Sequence, residues 1–295
     1  MGATALTCRM PELPEIHAMV ADLAARLDGR EVDHFQPLSF AAMKTFDPPA
    51  SALSKAVVRG VRRHGKYLDL AIGDLHLVMH LALLGWIRWR ENPPPPPSRL
   101  GKGPMAARLL LDDGSGLDIT EFGTKKSLAI WIVRDPAEVP GIARLGPDPL
   151  DPAFTVETLS GILAGAGRSR IKGVLRSQSL IAGIGNAYSD EILHTAKMSP
   201  FTPASMSPEQ VERLFDALQS TLRGAIVRAE GLSTSELKKE KKSGLQVHGR
   251  TGLPCPVCGD TVRQVIYADS TFQYCPSCQT GGKPLADRVL SRLLK

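Results

Sequence analysis

Two closely spaced pairs of cysteines constrain the C-terminal part of this chain more than any other feature. They read Cys255-x-x-Cys258 and Cys275-x-x-Cys278, with sixteen residues between the pairs. Each CxxC turn directs two sulfur atoms to one point, so two such turns complete a tetrahedral shell that suits Zn²⁺. Because four thiolates leave no open position for water, we predict one structural zinc ion in a ribbon. The alternative is two disulfides, which a reducing location disfavours.

The N-terminus and the apolar runs predict where the protein resides. Residues 1–9 lack a charged flank followed by a long apolar core, so no secretory signal is predicted. The longest apolar run, residues 75–87, is shorter than the ~20 residues that a membrane helix needs. We therefore expect no membrane association and a cytoplasmic location, close to the nucleoid if the source is bacterial.

Positive charge is concentrated near the C-terminus. The 295 residues carry 36 Lys and Arg against 30 Asp and Glu, a net charge of +6. Residues 238–295 alone hold ten basic and four acidic residues, which accounts for the whole excess. A basic segment of this kind predicts a polyanion partner, with a solvated face that only aids solubility as the alternative.

Hydrophobic periodicity divides the chain into a β-rich part and a helical part. Apolar residues at helical spacing over residues 16–27 predict one helix that ends at Gly29. Short β-rich runs over residues 55–133 are typical of a sandwich or barrel. We predict a β-sandwich domain at 10–135, a Pro-rich linker at 136–152, a helical domain at 153–237, a basic loop and zinc ribbon at 238–280, and a basic tail with a short helix at 281–295.

The run Pro11-Glu12-Leu13-Pro14-Glu15 suggests a nucleophile. Two prolines and two glutamates around one leucine favour neither a strand nor a helix interior. As a mature N-terminus, an α-amine with a pKa near 7.7 to 8.0 is roughly 10 to 15% unprotonated at pH 7, so it is a usable nucleophile. A secondary amine that attacks a sugar C1′ gives an obligately charged iminium, which acts as an electron sink. Glu12 beside it can donate or accept a proton.

Four motifs in a fixed order give the chain a wider resemblance. They are PELPE at residues 11–15, RRHGKYL at 62–68, GIGNAY at 183–188, and the cysteine ribbon that ends at Gln279. With a β-rich half before a helical half, this order resembles the formamidopyrimidine-DNA glycosylase and endonuclease VIII family of oxidised-base repair enzymes. The resemblance implies an α+β fold, with an N-terminal β-sandwich and leading helix, a helix-two-turn-helix domain and a C-terminal zinc ribbon.

The resemblance also implies catalytic roles for three residues. Pro11 would be the Schiff-base nucleophile, and Glu12 the acid that helps to open or protonate the sugar. Lys66 would contact the DNA backbone beside the lesion, unless it is a strand-end lysine that points at solvent.

Further residues are implied as contacts to DNA. Asn186 would clamp a phosphate at a helix N-terminus, where backbone amides receive an anion, and it can also be an ordinary N-cap. Arg168 and Lys172 fall where the family carries lysines before this motif, so we expect them near phosphates. The implied partner is double-stranded DNA with a damaged or abasic site, whose nucleotide must be extruded before it can react. We expect a monomer with no nucleotide cofactor.

One departure from the family pattern concerns the nucleophile. Residues 1–9 and Met10 precede Pro11, which therefore has no amine in the chain as written. Either translation begins at Met10 and the methionine is removed, or the extension is processed, or no Schiff base forms. We expect residues 1–9 to be absent from the mature protein.

A second departure concerns the residues that family members insert into the duplex and the groups that grip phosphate. A methionine of the family is Leu83 here, and the loop that follows is replaced by residues 120–126. Leu83, Phe122 and Lys125 can still form a wedge, with core or solvated positions as the alternative. The family's arginine before the third cysteine is also missing.

Three functional hypotheses follow. The first is a bifunctional DNA glycosylase and AP lyase of base excision repair, which removes oxidised bases through a Schiff base on Pro11 followed by β,δ-elimination. The second is a non-catalytic paralogue that binds damaged DNA. The third is a general zinc-ribbon module, which would bind intact and abasic duplexes equally well.

Overall fold

The computed structural model describes residues 10–95, 103–123, 125–266 and 271–286. Within these residues the chain forms two units. One contains the residues up to Leu145 together with Ala229–Lys238, and the other contains Gly146–Arg228 and the residues from Lys239 onward. The predicted α+β class is confirmed, because the first unit consists of two β-sheets and a leading helix and the second is mainly helical.

The first unit is a β-sandwich. Helix α1 (Leu13–Leu27) leads into the strands β1 (Val32–Pro37), β2 (Val58–His64), β3 (Tyr67–Ile72), β4 (Leu75–His80), β5 (Gly85–Arg90), β6 (Met105–Leu111), β7 (Gly116–Glu121) and β8 (Ala129–Val133). One sheet has the order β1-β6-β7-β5 and the other β2-β3-β4-β8. Every neighbouring pair is antiparallel, as expected for a meander of short strands.

Alternation along the strands determines which side faces the core. In β3, Leu68, Leu70 and Ile72 are at most 1% exposed and join one apolar cluster. Ile119 of β7, in the other sheet, lies in the same cluster, so the two sheets enclose one core. Helix α1 adds its apolar face through Ile16, Met19, Leu23 and Leu27. Each such side chain contributes about 1.5 to 3 kcal/mol on burial.

A segment from the second half of the chain completes the sandwich unit. Leu237 is fully buried in the sandwich core. The indole Nε1 of Trp86 donates to the carbonyl of Thr234 at 2.9 Å, and Nζ of Lys238 lies 4.2 Å from the Trp86 ring centre. Residues 229–238, which the sequence places within the helical domain and the following loop, thus pack with the β-sandwich because it buries their apolar side chains.

The predicted linker, residues 136–152, is divided between the two units. Val139 is fully buried and packs against Val78 and Val133 in an apolar cluster separate from the main core. This packing extends the sandwich unit to Leu145, and the second unit begins at Gly146.

The second unit combines helices with a small hairpin. Its elements are α2 (Val156–Ala166), α3 (Ile171–Arg176), α4 (Asn186–Thr195), α5 (Pro208–Ala229), α6 (Leu237–Gly244), β9 (Arg263–Ile266), β10 (Thr271–Tyr274) and α7 (Pro276–Thr280). The last residue of α5, Ala229, and the first two residues of α6, Leu237 and Lys238, belong to the sandwich unit. Strands β9 and β10 pair antiparallel and form a hairpin within residues 238–280, the segment predicted to contain the ribbon.

Two buried carboxylates join α4 to the ribbon. Asp190 is fully buried, and its oxygens accept from Nζ of Lys172 at 2.6 Å, from Nδ1 of His248 at 2.7 Å and from the backbone N–H of Gln273 at 3.1 Å. Glu191 accepts from three consecutive backbone N–H groups, those of residues 246–248. Since unpaired buried charges cost several kcal/mol, these contacts fix the position of the ribbon on α4.

The chain past the ribbon folds back on it. The backbone N–H of Leu285 donates to the hydroxyl of Tyr274 at 2.7 Å. The short basic helix predicted in the tail falls mainly on residues 287–295, which lie outside the described residues. Among the described residues, none of the helices is long and apolar enough to cross a membrane.

Candidate active site and metal centre

The head of helix α1 carries Pro11 and the two glutamates of the PELPE run. Pro11 is buried and stands immediately before Glu12, the N-cap of the helix. The backbone N–H of Glu12 donates to Oε2 of Glu15 at 2.8 Å, and the Glu12 side chain accepts from the backbone of Glu15 in return. This reciprocal capping box satisfies two N–H groups that the first turn leaves without helical partners. The run is therefore a helix N-terminus, a place where proline is well tolerated.

Burial holds both carboxylates in one orientation. Glu12 and Glu15 are each 2% exposed. The second glutamate of the run thus positions the first, directly beside Pro11.

A tight hairpin between β2 and β3 positions Lys66. Gly65 takes a φ of 54°, a left-handed conformation that favours glycine, and the chain reverses there. Lys66 is only 9% exposed, so it is held against the sandwich rather than extended into solvent. The ring of the next residue, Tyr67, lies 4.7 Å from the ring of His80 on β4.

Two histidines, one on β2 and one on β4, contact the buried carboxylate of Asp69 on β3. The carboxylate of Asp69, 1% exposed, contacts Nε2 of His64 at 3.0 Å and Nδ1 of His76 at 2.8 Å. Although burial raises the pKa of Asp69, these two hydrogen bonds bring that pKa below its usual value. Sequence reasoning missed this cluster, because only strand register brings the three residues together.

We expect the free energy of unfolding to fall as the pH decreases from 6.5 to 4, because of His80. Burial, followed by the positive charge of Lys66, lowers the pKa of His80 from 6.5 to about 4. In this range the unfolded chain binds a proton on the imidazole and the folded protein does not. The folded state therefore loses up to about 3 kcal/mol of stability by pH 4. Urea unfolding of the wild type and of His80→Gln, at several pH values, measures the effect.

The variant His34→Gln is the matched control for this prediction. The side chain of His34 is 45% exposed, and the Asp33 carboxylate that it contacts is 44% exposed, so solvent screens this pair and the substitution should change the pH dependence far less than His80→Gln does. Equal pH dependence in the wild type and in His80→Gln would contradict the assignment to His80.

Two neighbouring turns of the sandwich expose apolar side chains. Leu83 is 44% exposed and Phe122 is 41% exposed. The backbone N–H of Phe122 donates to the carbonyl of Leu84 at 3.2 Å, which places the two turns side by side. The guanidinium of Arg88 lies 5.7 Å from the Phe122 ring, and Lys125 is exposed on the same loop. These positions are on the surface, so the core alternative for Leu83 and Phe122 does not hold.

We expect Glu121→Ala to destabilise the protein by about 2 to 6 kcal/mol. The carboxylate of Glu121 is buried and accepts from the N–H groups of Ser127 and Leu128 at 2.7 and 2.9 Å. Its loss leaves these donors without an acceptor, at about 1 to 3 kcal/mol each. Urea denaturation checks the value, with Asp74→Ala as a control because that carboxylate is 93% exposed. Equal stability of the two variants would contradict the prediction.

The predicted DNA-contacting residues of the helical unit differ in exposure. Arg168 is exposed. Asn186 begins α4, and its Nδ2 donates to the carbonyl of Thr271 at 2.7 Å while its buried Oδ1 has no hydrogen-bond partner among the described residues. Lys172 is 6% exposed and pairs with Asp190, so the structure gives it a structural role. Its contact with phosphate stays a prediction.

The four ribbon cysteines converge as their spacing predicts. Sγ of Cys255 lies 3.9 Å from Sγ of Cys278, and Sγ of Cys258 lies 3.3 Å from Sγ of Cys275. These separations exceed the ~2.05 Å of a disulfide, so the disulfide alternative does not hold. They are close to the sulfur spacing of about 3.8 Å expected for a tetrahedral ion with Zn–S bonds of about 2.3 Å. The donor set fits a soft metal ion such as Zn²⁺.

A histidine that the spacing did not predict completes the cluster. Nε2 of His194, on the last turn of α4, lies 3.3 Å from Sγ of Cys255. The donor atoms of His194, Cys255, Cys275 and Cys278 all lie within 4.8 Å of one another, a group that could hold a metal ion. No local signal marks His194, because it lies 61 residues before Cys255 in the chain.

The predicted site residues fall into two groups. The sandwich unit contains Pro11, Glu12, Lys66, Leu83 and Lys125, and the helical unit contains Arg168, Lys172, Asn186 and the four cysteines. Each group is positioned by its own unit, through the head of α1 and the strand turns in one and through α4 and the ribbon in the other.

Comparison with known proteins gives matches over both units. Residues 10–124 match the formamidopyrimidine-DNA glycosylase N-terminal domain, and residues 145–236 match the H2TH domain of the same enzymes. A formamidopyrimidine-DNA glycosylase of Symbiobacterium thermophilum is 36% identical over 92% of this chain and 89% of its own length. A formamidopyrimidine-DNA glycosylase-like protein of Mycobacterium tuberculosis is 58% identical over 54% of this chain and 99% of its own length.

A solved structure is similar to this chain in fold as well. The Lactococcus lactis Fpg protein, in complex with DNA that contains an abasic site, matches with a TM-score of 0.79 and 25% identity. The match covers 91% of this chain and 99% of the other.

A leading helix, a β-sandwich, a helix-two-turn-helix region and a cysteine ribbon together define a class of DNA-repair glycosylases. Within that class, the chain belongs to the formamidopyrimidine-DNA glycosylase family. The resemblance drawn from the four sequence motifs is thereby confirmed.

Proposed function

We propose that this member of the family is a bifunctional DNA glycosylase and AP lyase that removes oxidised bases through a Schiff base on Pro11. The observation that carries the proposal is the buried Pro11 at the head of α1, beside a carboxylate that a capping box holds in place. A nucleophile and a proton donor on adjacent residues are the two groups that the chemistry requires.

The reaction begins when the Pro11 nitrogen forms a bond to C1′ and the bond between C1′ and the base breaks. The electron pair leaves with the base, which takes up a proton, and Glu12 delivers a proton to the sugar ring oxygen as the ring opens. The resulting iminium acidifies C2′, so loss of a C2′ proton expels the 3′ phosphate. A second elimination expels the 5′ phosphate, and water then releases Pro11.

The partner is double-stranded DNA with a damaged or abasic nucleotide. The exposed pair Leu83 and Phe122 would fill the space that an extruded nucleotide leaves, and Lys125 lies on the same loop. Lys66 would contact the backbone beside the lesion, while Arg168 and Asn186 would bind phosphates. Zn²⁺ in the cysteine site would stabilise the ribbon and take no part in the chemistry, since four thiolates leave no open position.

The test is base release and strand cleavage by protein that begins at Pro11, with duplexes that carry an oxidised purine, an oxidised pyrimidine or an abasic site. Glu12→Gln should reduce base release on the order of 10² to 10⁴-fold, because the proton donor is lost. Its affinity for the abasic duplex should change little, and circular dichroism checks that the helix is intact. Unchanged base release by Glu12→Gln would remove Glu12 from the mechanism.

The second candidate function is binding of damaged DNA without catalysis. It is favoured by residues 1–9 and Met10, which place the Pro11 nitrogen in a peptide bond, and by the altered wedge residues. If protein that begins at Pro11 binds an abasic duplex more tightly than an intact one but neither releases bases nor cleaves, this candidate replaces the enzyme.

A further inference from the structure

Five side chains with metal-binding atoms meet at a site that needs four. Zn²⁺ in structural sites takes four ligands, and the four cysteines of the ribbon supply them. His194 is the fifth, with Nε2 3.3 Å from Sγ of Cys255 and within 4.8 Å of the sulfur atoms of Cys275 and Cys278. An imidazole is itself a common ligand of Zn²⁺, and sites with three cysteines and one histidine are stable.

The five donors are not equally protected. Cys258 is exposed, whereas Cys255, Cys275 and His194 are buried and Cys278 is partly buried. An exposed thiolate is the one that alkylating reagents reach first. The site is therefore most easily damaged at Cys258, the ribbon cysteine that the compact group with His194 does not include.

His194 is held by helix α4 rather than by the turns that carry the cysteines. It lies on α4 three residues after Glu191, whose carboxylate accepts three backbone N–H groups of residues 246–248. Asp190, on the same turn, is fixed by Lys172 and His248. The imidazole thus stays close to the sulfur atoms when the turn that carries Cys258 changes.

The side chain of His194 borders open space. A cavity of about 370 Å³ is lined by His194 and by Cys278 and Val257 of the ribbon. Rotation of the imidazole is therefore not blocked by packing on every side.

We propose that His194 is a reserve ligand, which donates an N–H to the Cys255 sulfur while four cysteines hold the ion and replaces Cys258 when that thiolate is lost. The exchange gives a site of three thiolates and one imidazole. The ribbon keeps its metal, and with it its fold, after damage at the exposed cysteine.

Zinc content tests the proposal. The full chain should hold about one zinc ion, Cys258→Ser should keep about one, and Cys258→Ser/His194→Phe should lose most of it. In chelator competition, Cys258→Ser should bind zinc about tenfold more weakly than the wild type, and the double variant at least a hundredfold more weakly than Cys258→Ser. His194→Phe alone controls for damage to α4 and should keep its zinc.

Cobalt substitution gives a readout that a purely structural role of His194 would not produce. In the Co²⁺ form, Cys258→Ser should lose about one quarter of the near-ultraviolet sulfur-to-metal absorption, since three thiolates remain of four, and its visible bands should shift to shorter wavelength. Two results would overturn the proposal. One is that Cys258→Ser loses its metal as completely as Cys275→Ser. The other is that Cys258→Ser and Cys258→Ser/His194→Phe keep their metal equally well.

Discussion

Protein that begins at Pro11 should be trapped on a duplex with one abasic site by borohydride, and protein that begins at Met1 should not. In the longer form the Pro11 nitrogen is part of a peptide bond, whose electron pair is delocalised and cannot attack C1′. In the shorter form it is a secondary amine, and an α-amine with a pKa near 8 is roughly 10% unprotonated at pH 7. We expect the yield of covalent complex to differ on the order of a thousandfold or more.

The comparison needs both forms to be intact. Mass spectrometry of each protein before the reaction establishes which residue is first, and a chain that begins at Met10 tests removal of the methionine. If the Met1 form is trapped as efficiently without being shortened, another amine is the nucleophile, and the buried Lys66 is the first to substitute.

Cys275→Ser should remove the metal and reduce affinity for an abasic duplex on the order of 10² to 10³-fold. Cys275 is fully buried, and burial raises the pKa of its thiol to about 11, so a bound cation is needed to keep this thiol ionised near neutral pH. Binding of a structural zinc ion is worth about 10 to 16 kcal/mol in small domains, which far exceeds what the ribbon core alone supplies. The hairpin of β9 and β10 should therefore unfold without the ion.

Metal analysis, near-ultraviolet circular dichroism and DNA titration at constant salt measure the three expected losses. Ser277→Ala is the matched control, because this serine lies between two ligands, is itself exposed, and donates its hydroxyl to the partly buried Asp260 at 2.8 Å. If the metal is lost and the affinity is unchanged, the ribbon does not take part in DNA binding.

Local patterns in the sequence predicted much of the fold. The apolar period in α1 and the alternation in β3 are visible in short stretches of sequence, because the direction of side chains repeats every few residues in a helix or a strand. The spacing of the cysteines likewise predicted convergence, since a CxxC turn brings its two sulfur atoms together by itself. The four family motifs are equally local, and they identified the family before any tertiary contact was known.

Other parts of the site could not be predicted in this way. Asp69 meets His64 and His76 only because β2, β3 and β4 pair in one register. Residues 229–238 pack with the sandwich because Leu237 finds an apolar core there and Thr234 accepts from Trp86. Lys172, expected near phosphate, is paired with Asp190 inside the helical unit.

The sequence by itself thus determined the class of each segment, the cysteine site and the family, because these depend on spacing between neighbours along the chain. The tertiary structure decided which charged groups are buried and paired, and it added His194 to the cysteine site. Such contacts join residues tens of positions apart, and their stability depends on burial and on distance in space. Neither quantity can be predicted from the spacing of neighbouring residues.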